Sequence, residues 1–234
     1  MKVGVIQSCY VPWRGYFDFI RSVDLFVVYD DVQYSKGSWR NRNQVKTADG
    51  LRWLTVPVAV SLGQRIDEVR IAQRSKSWIE EHGRLLRASL EAAPYFQDAW
   101  QLWSAAVGHG DELLSVLNVR LLRSVCAYLG IRTPLVMSSE YPTLGSSTTR
   151  LLSLLQAVGA SSYLSGPSAA DYLDLRQFAE RGIGVQYKSY DYPPYPQLHG
   201  EFVSAVTILD LIANCGPGAA ARLASSSADR SVTP

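Results

Sequence analysis

Cysteine is scarce in this chain, three residues in 234. Cys9, Cys126 and Cys215 cannot all pair and match no metal-knuckle spacing, so a disulfide or zinc framework is excluded. Histidine is equally scarce, and no His/Asp/Glu spacing points to a dedicated metal site. An excess of one charge is also missing. The net charge is +2 and no Lys/Arg run exceeds two residues, so no nucleic-acid surface is implied. Long apolar runs are absent too. None approaches the roughly 20 residues that span a bilayer, so no membrane insertion is expected. Arg14 interrupts the N-terminal MKVGVIQSCYVPWR before it reaches the length of a secretory signal. A reducing cytoplasm is the expected location. No Gly-rich phosphate loop follows the first apolar run, which weakens an adenylation reading.

What is present is enough apolar material for a substantial core, 47% hydrophobic against 19% charged. Lys2–Gln7 reads as a strand, Gly15–Val23 as a helix with Tyr16, Phe19, Ile20 and Val23 at helical spacing, and Leu25–Tyr29 as a second strand. A βαβ start of this kind favours a parallel sheet. Further on, the spacing predicts strands at Trp53–Val60 and Ile66–Ile71, then helices at Lys76–Ala93 and Leu113–Leu129. A helix–Gly–strand rhythm follows: a strand at Thr133–Ser138, a helix at Ser147–Val158, a strand at Ser162–Ser165, a helix at Tyr172–Arg181 and a strand at Val185–Tyr190. A last helix is expected at Phe202–Ala213. The fold class is α/β, a single domain with a largely parallel sheet, a β-hairpin insertion near residues 48–71 and a helical middle section. Its span is 1–217, and 218–234 reads as a flexible Ala/Ser-rich tail.

The densest chemistry lies in Tyr29–Lys46, YDDVQYSKGSWRNRNQVK, directly after the second strand. Ligands of open α/β sheets bind at the carboxyl ends of strands, where two carboxylates, four cations and a run of amides would serve a site. Asp30 and Asp31 are adjacent, so on a strand they point to opposite faces, and one of them is free to act as a base or to hold Arg40 or Arg42. Ten of the 25 aromatic residues fall within 10–53, among them Tyr10, Trp13, Tyr16, Tyr34 and Trp39, and aromatic walls with polar tips suit a sugar pocket. Cys9 ends the first strand, where a thiol nucleophile would need a base such as His82 or His199. The Ser165-Gly166 turn offers main-chain N–H groups to an anion or acyl oxygen. Since the first two strands are expected to end on one edge, Gln7, Tyr10, Asp30, Gln33, Arg40, Asn41 and Arg42 should line one pocket with His82 and that turn.

These blocks together carry a resemblance. Gln7-Ser8-Cys9-Tyr10-Val11-Pro12-Trp13-Arg14-Gly15-Tyr16-Phe17, Tyr29-Asp30-Asp31-Val32-Gln33-Tyr34, Trp39-Arg40-Asn41-Arg42-Asn43 and Trp53-Leu54-Thr55-Val56-Pro57 resemble the WbqC-like family, as do Trp78 with His82, Tyr163–Gly166 and Phe202–Gly216. The resemblance implies acyl or aminoacyl transfer, glycyl included, to an amino group of a sugar or small molecule. The donor would be an activated acyl group such as a carrier-protein thioester, and the setting bacterial O-antigen, other surface-glycan or natural-product biosynthesis. Thioester aminolysis is downhill, so no metal or redox cofactor is required. The family usually has Gln-Pro where this chain has Gln7-Ser8 and an aromatic where it has Cys9, which argues against Cys9 as a shared nucleophile. Asp30 or His82 is the expected base, with Arg40, Arg42 and the Ser165-Gly166 turn as donors. The same side chains would also serve a non-catalytic sugar or nucleotide-sugar binding module.

Overall fold

A computed structural model describes residues 1–72, 77–171 and 173–232. It is a mixed α/β domain around a six-stranded sheet. The chain opens with β1 (Lys2–Ile6), α1 (Arg14–Arg21) and β2 (Leu25–Val28). β2 lies parallel to β1 with Ile6 opposite Val28, so both strands release the chain at the same edge. Then come β3 (Arg42–Thr47), β4 (Gly50–Thr55), β5 (Val58–Ala59) and β6 (Arg70–Ile71). The helical middle holds α2 (Ser77–Leu90), α3 (Phe96–Gly108) and α4 (Leu114–Tyr128). After it run β7 (Leu135–Met137), α5 (Ser147–Ala157), β8 (Ser162–Ser165), α6 (Leu175–Ala179), β9 (Gly184–Tyr187), α7 (Ile208–Cys215) and β10 (Arg230–Val232).

The sheet order is β10-β9-β8-β1-β2-β7, parallel throughout except for the antiparallel edge pair β10–β9. In chain order, the parallel strands grow from β1 toward β2 and β7. They then cross to the other side of β1 for β8 and β9. That is a doubly wound sheet, and its direction of growth reverses between β1 and β8.

Side-chain alternation sends the two strand faces into two cores. Val3, Val5 and Val27 pack with Leu152, Leu154 and Leu155 of α5 and Phe178 of α6. Phe26 and Val28 join the larger core of Phe17, Phe19 and Ile20 from α1 with the α3, α4 and α7 side chains. Gly4 permits the close approach of α1: a Cβ there would lie 2.4 Å from Phe19 Cε1. α5 ends on Gly159, whose φ of 72° is open to glycine. The N–H of Gly159 bonds Gln156 O and that of Ala160 bonds Leu155 O, which is a Schellman stop.

The structure revises several expected boundaries. The hairpin is β3–β4, spanning 42–55, with Arg42 opposite Thr55 and Thr47 opposite Gly50. The strand expected at Trp53–Val60 breaks after Thr55, before Pro57. Ile66–Glu68 is a 3-10 turn, and only Arg70–Ile71 is extended. α3 was not anticipated as a separate helix. Lys76 and Tyr172, expected helix starts, lie outside the described residues, and α6 covers only Leu175–Ala179. α7 begins at Ile208 rather than Phe202, with Thr207 Oγ1 accepting from the Leu209 N–H as its cap. Residues 218–232, read from sequence as a flexible tail, bury Ala219 and Leu223 and supply β10. Among the described residues no helix is long and apolar enough to cross a membrane.

Candidate functional site

At the reversal between β1 and β8, on the carboxyl edge of the sheet, lies a cleft of about 530 Å³. Gln7 enters it from the end of β1, Tyr29 from the end of β2, and Ser165 and Gly166 from the end of β8. Ser147 and Thr148 enter from the first turn of α5, and Ser168 from the 3-10 turn Pro167–Asp171. Ser147 sits at φ 47°, a left-handed conformation uncommon for a side-chain-bearing residue. Hydroxyls, an amide and tyrosine rings share the lining with the aliphatic side chains of Val5, Ile6, Leu151, Ala169 and Leu173. Among the described lining residues there is no carboxylate, imidazole or thiol.

The two adjacent aspartates lie just beyond the end of β2 and diverge. Asp31 turns toward α5. It accepts from Arg150 Nη2 and from Ser138 Oγ, each at 2.5 Å, and the Arg150 guanidinium lies 5.8 Å from the Tyr29 ring centre. Asp30 turns toward α4 and is fully buried. Its Oδ1 accepts from the Ser8 N–H at 2.8 Å, and its Oδ2 from Ser115 Oγ at 2.5 Å. Asn118 Nδ2 donates to Ser8 Oγ at 3.1 Å and to Arg40 O at 2.8 Å. Arg40 Nη1 donates to Gln7 O at 2.9 Å, and Tyr16 Oη donates to the same oxygen at 2.9 Å. This inner network stiffens the loop from which Gln7 enters the cleft.

Several expected site residues therefore belong elsewhere. Asp30 is a buried brace whose two oxygens are already engaged, so its carboxylate does not reach the cleft. Cys9 is buried, and burial pushes its thiol up to about 11, with Asp30 adding to the rise and Arg40 opposing it. Such a thiol stays protonated near neutrality and is a poor nucleophile. Tyr10 and His82 are core residues. Trp103 Nε1 donates to Tyr10 Oη at 2.8 Å, and Tyr10 Oη meets His82 Nδ1 at 3.0 Å. Burial lowers His82 to about 4, while a hydrogen bond that the ring donates to the Thr55 main chain pulls the other way. Burial raises the Tyr10 phenol.

Tyr34 Oη donates to Asn41 Oδ1 at 2.9 Å, and Asn41 Nδ2 donates to Val56 O at 2.8 Å, which makes this pair a brace under the hairpin. Gln33 is exposed and bridges to Arg65. Trp13 packs on Tyr190 and Tyr192. Trp39 and Arg42 gather around Trp53 on the outer surface. Of the expected set, Gln7, Ser165 and Gly166 come together in the cleft. The sequence reading missed Ser147, Thr148 and Ser168. The Gly-Ser-Ser-Thr-Thr run at 145–149 was the available signal for the first two. Among the described residues no cluster of three or more His, Cys, Asp or Glu could hold a metal ion.

The fold and its cleft define a doubly wound α/β protein with a crevice at its switch point. The chain belongs to the WbqC-like protein family, whose model matches residues 7–222. It is also similar to an uncharacterized protein, Rv1507c, of Mycobacterium tuberculosis. The two are 46% identical over 220 residues, covering 92% of this chain and 94% of that one. No solved structure matches the chain.

Proposed function

We propose that the chain transfers an acyl or aminoacyl group, glycyl among the candidates, to an amino group of a sugar or small molecule. The setting is surface-glycan or natural-product biosynthesis in the cytoplasm, and the reacting pair sits in the switch-point cleft. One observation carries this reading: Gln7, the Ser165-Gly166 turn and the first turn of α5 converge on one crevice of about 530 Å³, where a doubly wound sheet holds its ligands. With a carrier-protein thioester as donor, the amine nitrogen attacks the carbonyl carbon and the C–S bond breaks. The amine's proton ends on the departing thiol, and an amide forms. The chain's part is to orient the pair and to stabilise the oxyanion with main-chain N–H groups of the Gly166 turn and the α5 start. The amine's proton leaves through water or the hydroxyl lining, since Asp30 and His82 are buried away from the cleft.

A second reading, a sugar or nucleotide-sugar binding protein, is favoured by the lack of any carboxylate, imidazole or thiol among the described lining residues. Intact-protein mass spectrometry of a glycyl-loaded carrier protein separates the two. Acyl loss that needs both the chain and an amino-sugar acceptor supports transfer. Acyl loss independent of either, beside tight sugar binding, supports the binder.

A further inference from the structure

The outer face of the β3–β4 hairpin and the turn that leads into it carry two tryptophans that the core does not use. Trp39 is 46% exposed and Trp53 is 41% exposed. Their ring centres lie 5.5 Å apart with planes tilted by 38°. The Arg42 guanidinium covers one face of Trp53 at 4.3 Å. None of the three lines the switch-point cleft.

The pair is open yet rigid. Trp39 O accepts from the Tyr10 N–H at 3.2 Å, Arg40 is anchored on Gln7 O, and Asn41 is anchored on Val56 O. Trp53 is held in register opposite Gln44 in the ladder. Arg42 Nη2 donates to Gly37 O, which fixes the guanidinium over the ring. Large aromatic surface left in water costs apolar free energy, and the contacts among Trp39, Trp53 and Arg42 offset only part of it. Such a surface is shaped for something that arrives from solution, and its rigidity lowers the entropy lost on binding.

We propose that this surface binds a glycan strand, with pyranose rings stacked on Trp39 and Trp53. The apolar C–H face of a pyranose matches an indole face, and its hydroxyls need donors and acceptors at the rim. Arg42 and Gln44 supply that rim, Gln44 directly opposite Trp53. A protein partner fits less well. The exposed apolar side chains here are Trp39, Trp53 and Leu51, too few for the roughly 1,200 Å² of a stable interface, and a dry partner would leave the rim unpaired. The site lies outside the cleft and its binding does not depend on acyl transfer, so it stands or falls separately from the transferase reading.

Titration of the whole chain with hexamers of β-1,4-linked N-acetylglucosamine, mannose and galacturonate, followed by tryptophan fluorescence and calorimetry, tests this. Saturable binding of at least one hexamer is expected. Trp39→Ala and Trp53→Ala should each weaken it by about tenfold or more, Trp39→Phe should restore part of the loss, and Gly166→Phe in the cleft should leave it unchanged. If Trp53→Ala fails to fold, Trp39→Ala decides. The proposal is overturned if no hexamer binds saturably, if the tryptophan variants bind like the parent, or if Gly166→Phe abolishes binding.

Discussion

The main-chain N–H of Ser8 donates to Oδ1 of Asp30 across 2.8 Å, tying the chain just beyond β1 to the chain just beyond β2. The other carboxylate oxygen takes the Ser115 hydroxyl from the start of α4. One buried side chain thus sets the spacing of two strand ends and a helix. An aspartate that looks like a catalytic base in the sequence works as a joint.

Asp30→Ala should cost stability before it costs chemistry. It leaves the Ser8 N–H and the Ser115 hydroxyl buried without partners, a loss of about 3 kcal/mol. Asp30→Asn keeps one acceptor and should lose about half as much. Urea unfolding at pH 7 measures both. A loss under about 0.5 kcal/mol for the alanine variant would put the carboxylate outside the framework.

Acid should weaken the fold through His82. Its pKa falls from the ordinary 6.5 to about 4 in the folded protein because burial disfavours the charged ring. Between those values the unfolded chain binds the proton that the folded chain refuses. The contribution is complete above pH 6.5 and drains away as pH drops through about 4, by up to about 3 kcal/mol. Urea midpoints at pH 7, 5.5 and 4.5 should fall more steeply for the parent than for His82→Gln. Equal slopes would remove His82 as the source.

Gly166 faces open space: apart from its own chain neighbours, nothing lies within 4 Å of where its Cβ would stand. Gly166→Phe should therefore fold within about 0.5 kcal/mol of the parent while filling the cleft. Amide formation, or binding of a small amino sugar, should drop by at least about tenfold. Unchanged activity in a folded Gly166→Phe protein would move the reaction elsewhere.

Gly4→Ala tests the packing of the first βαβ unit. The added methyl meets Phe19 Cε1 at 2.4 Å, so α1 must shift, at a cost of about 1–3 kcal/mol. Thermal unfolding reads this directly, and an unchanged midpoint would contradict the close approach.

Local signals carried much of the fold. The apolar runs at Val3–Ile6 and Leu25–Val28 and the glycines behind α4 and α5 are short-range features, and the strands and helices appear where they point. β3 was hidden because RNQVKT reads as a polar loop. Its Asn43 is buried by a hydrogen bond to Val11 O and its Lys46 by one to Gln197 Oε1, partners that are remote in the chain. β10 was hidden for a similar reason. Asp229 pairs with Lys188, and Lys188 in turn with Asp18, so the tail is held by charges spread over much of the chain. At the site, Gln7 and the Ser165-Gly166 turn were legible as strand ends. Ser147 and Thr148 were not, because their place depends on β8 lying beside β1, and strand order is a tertiary fact. Tyr10, Asp30 and His82 carried reactive-looking groups whose burial no local pattern announces.

The edge pairing of β9 with β10 has a consequence for how the protein is made. β9 is complete by Tyr187 and pairs with β8 on one side, but the strand that covers its other edge is Arg230–Val232. During synthesis, β9 offers an unpaired ladder of main-chain groups for as long as the ribosome takes to deliver those last residues, and an open edge is a template for the wrong chain. Polysomes crowd many such nascent edges together. Slow codons between 187 and 230 would lengthen that exposure, and a chaperone at the tunnel exit would find its substrate there.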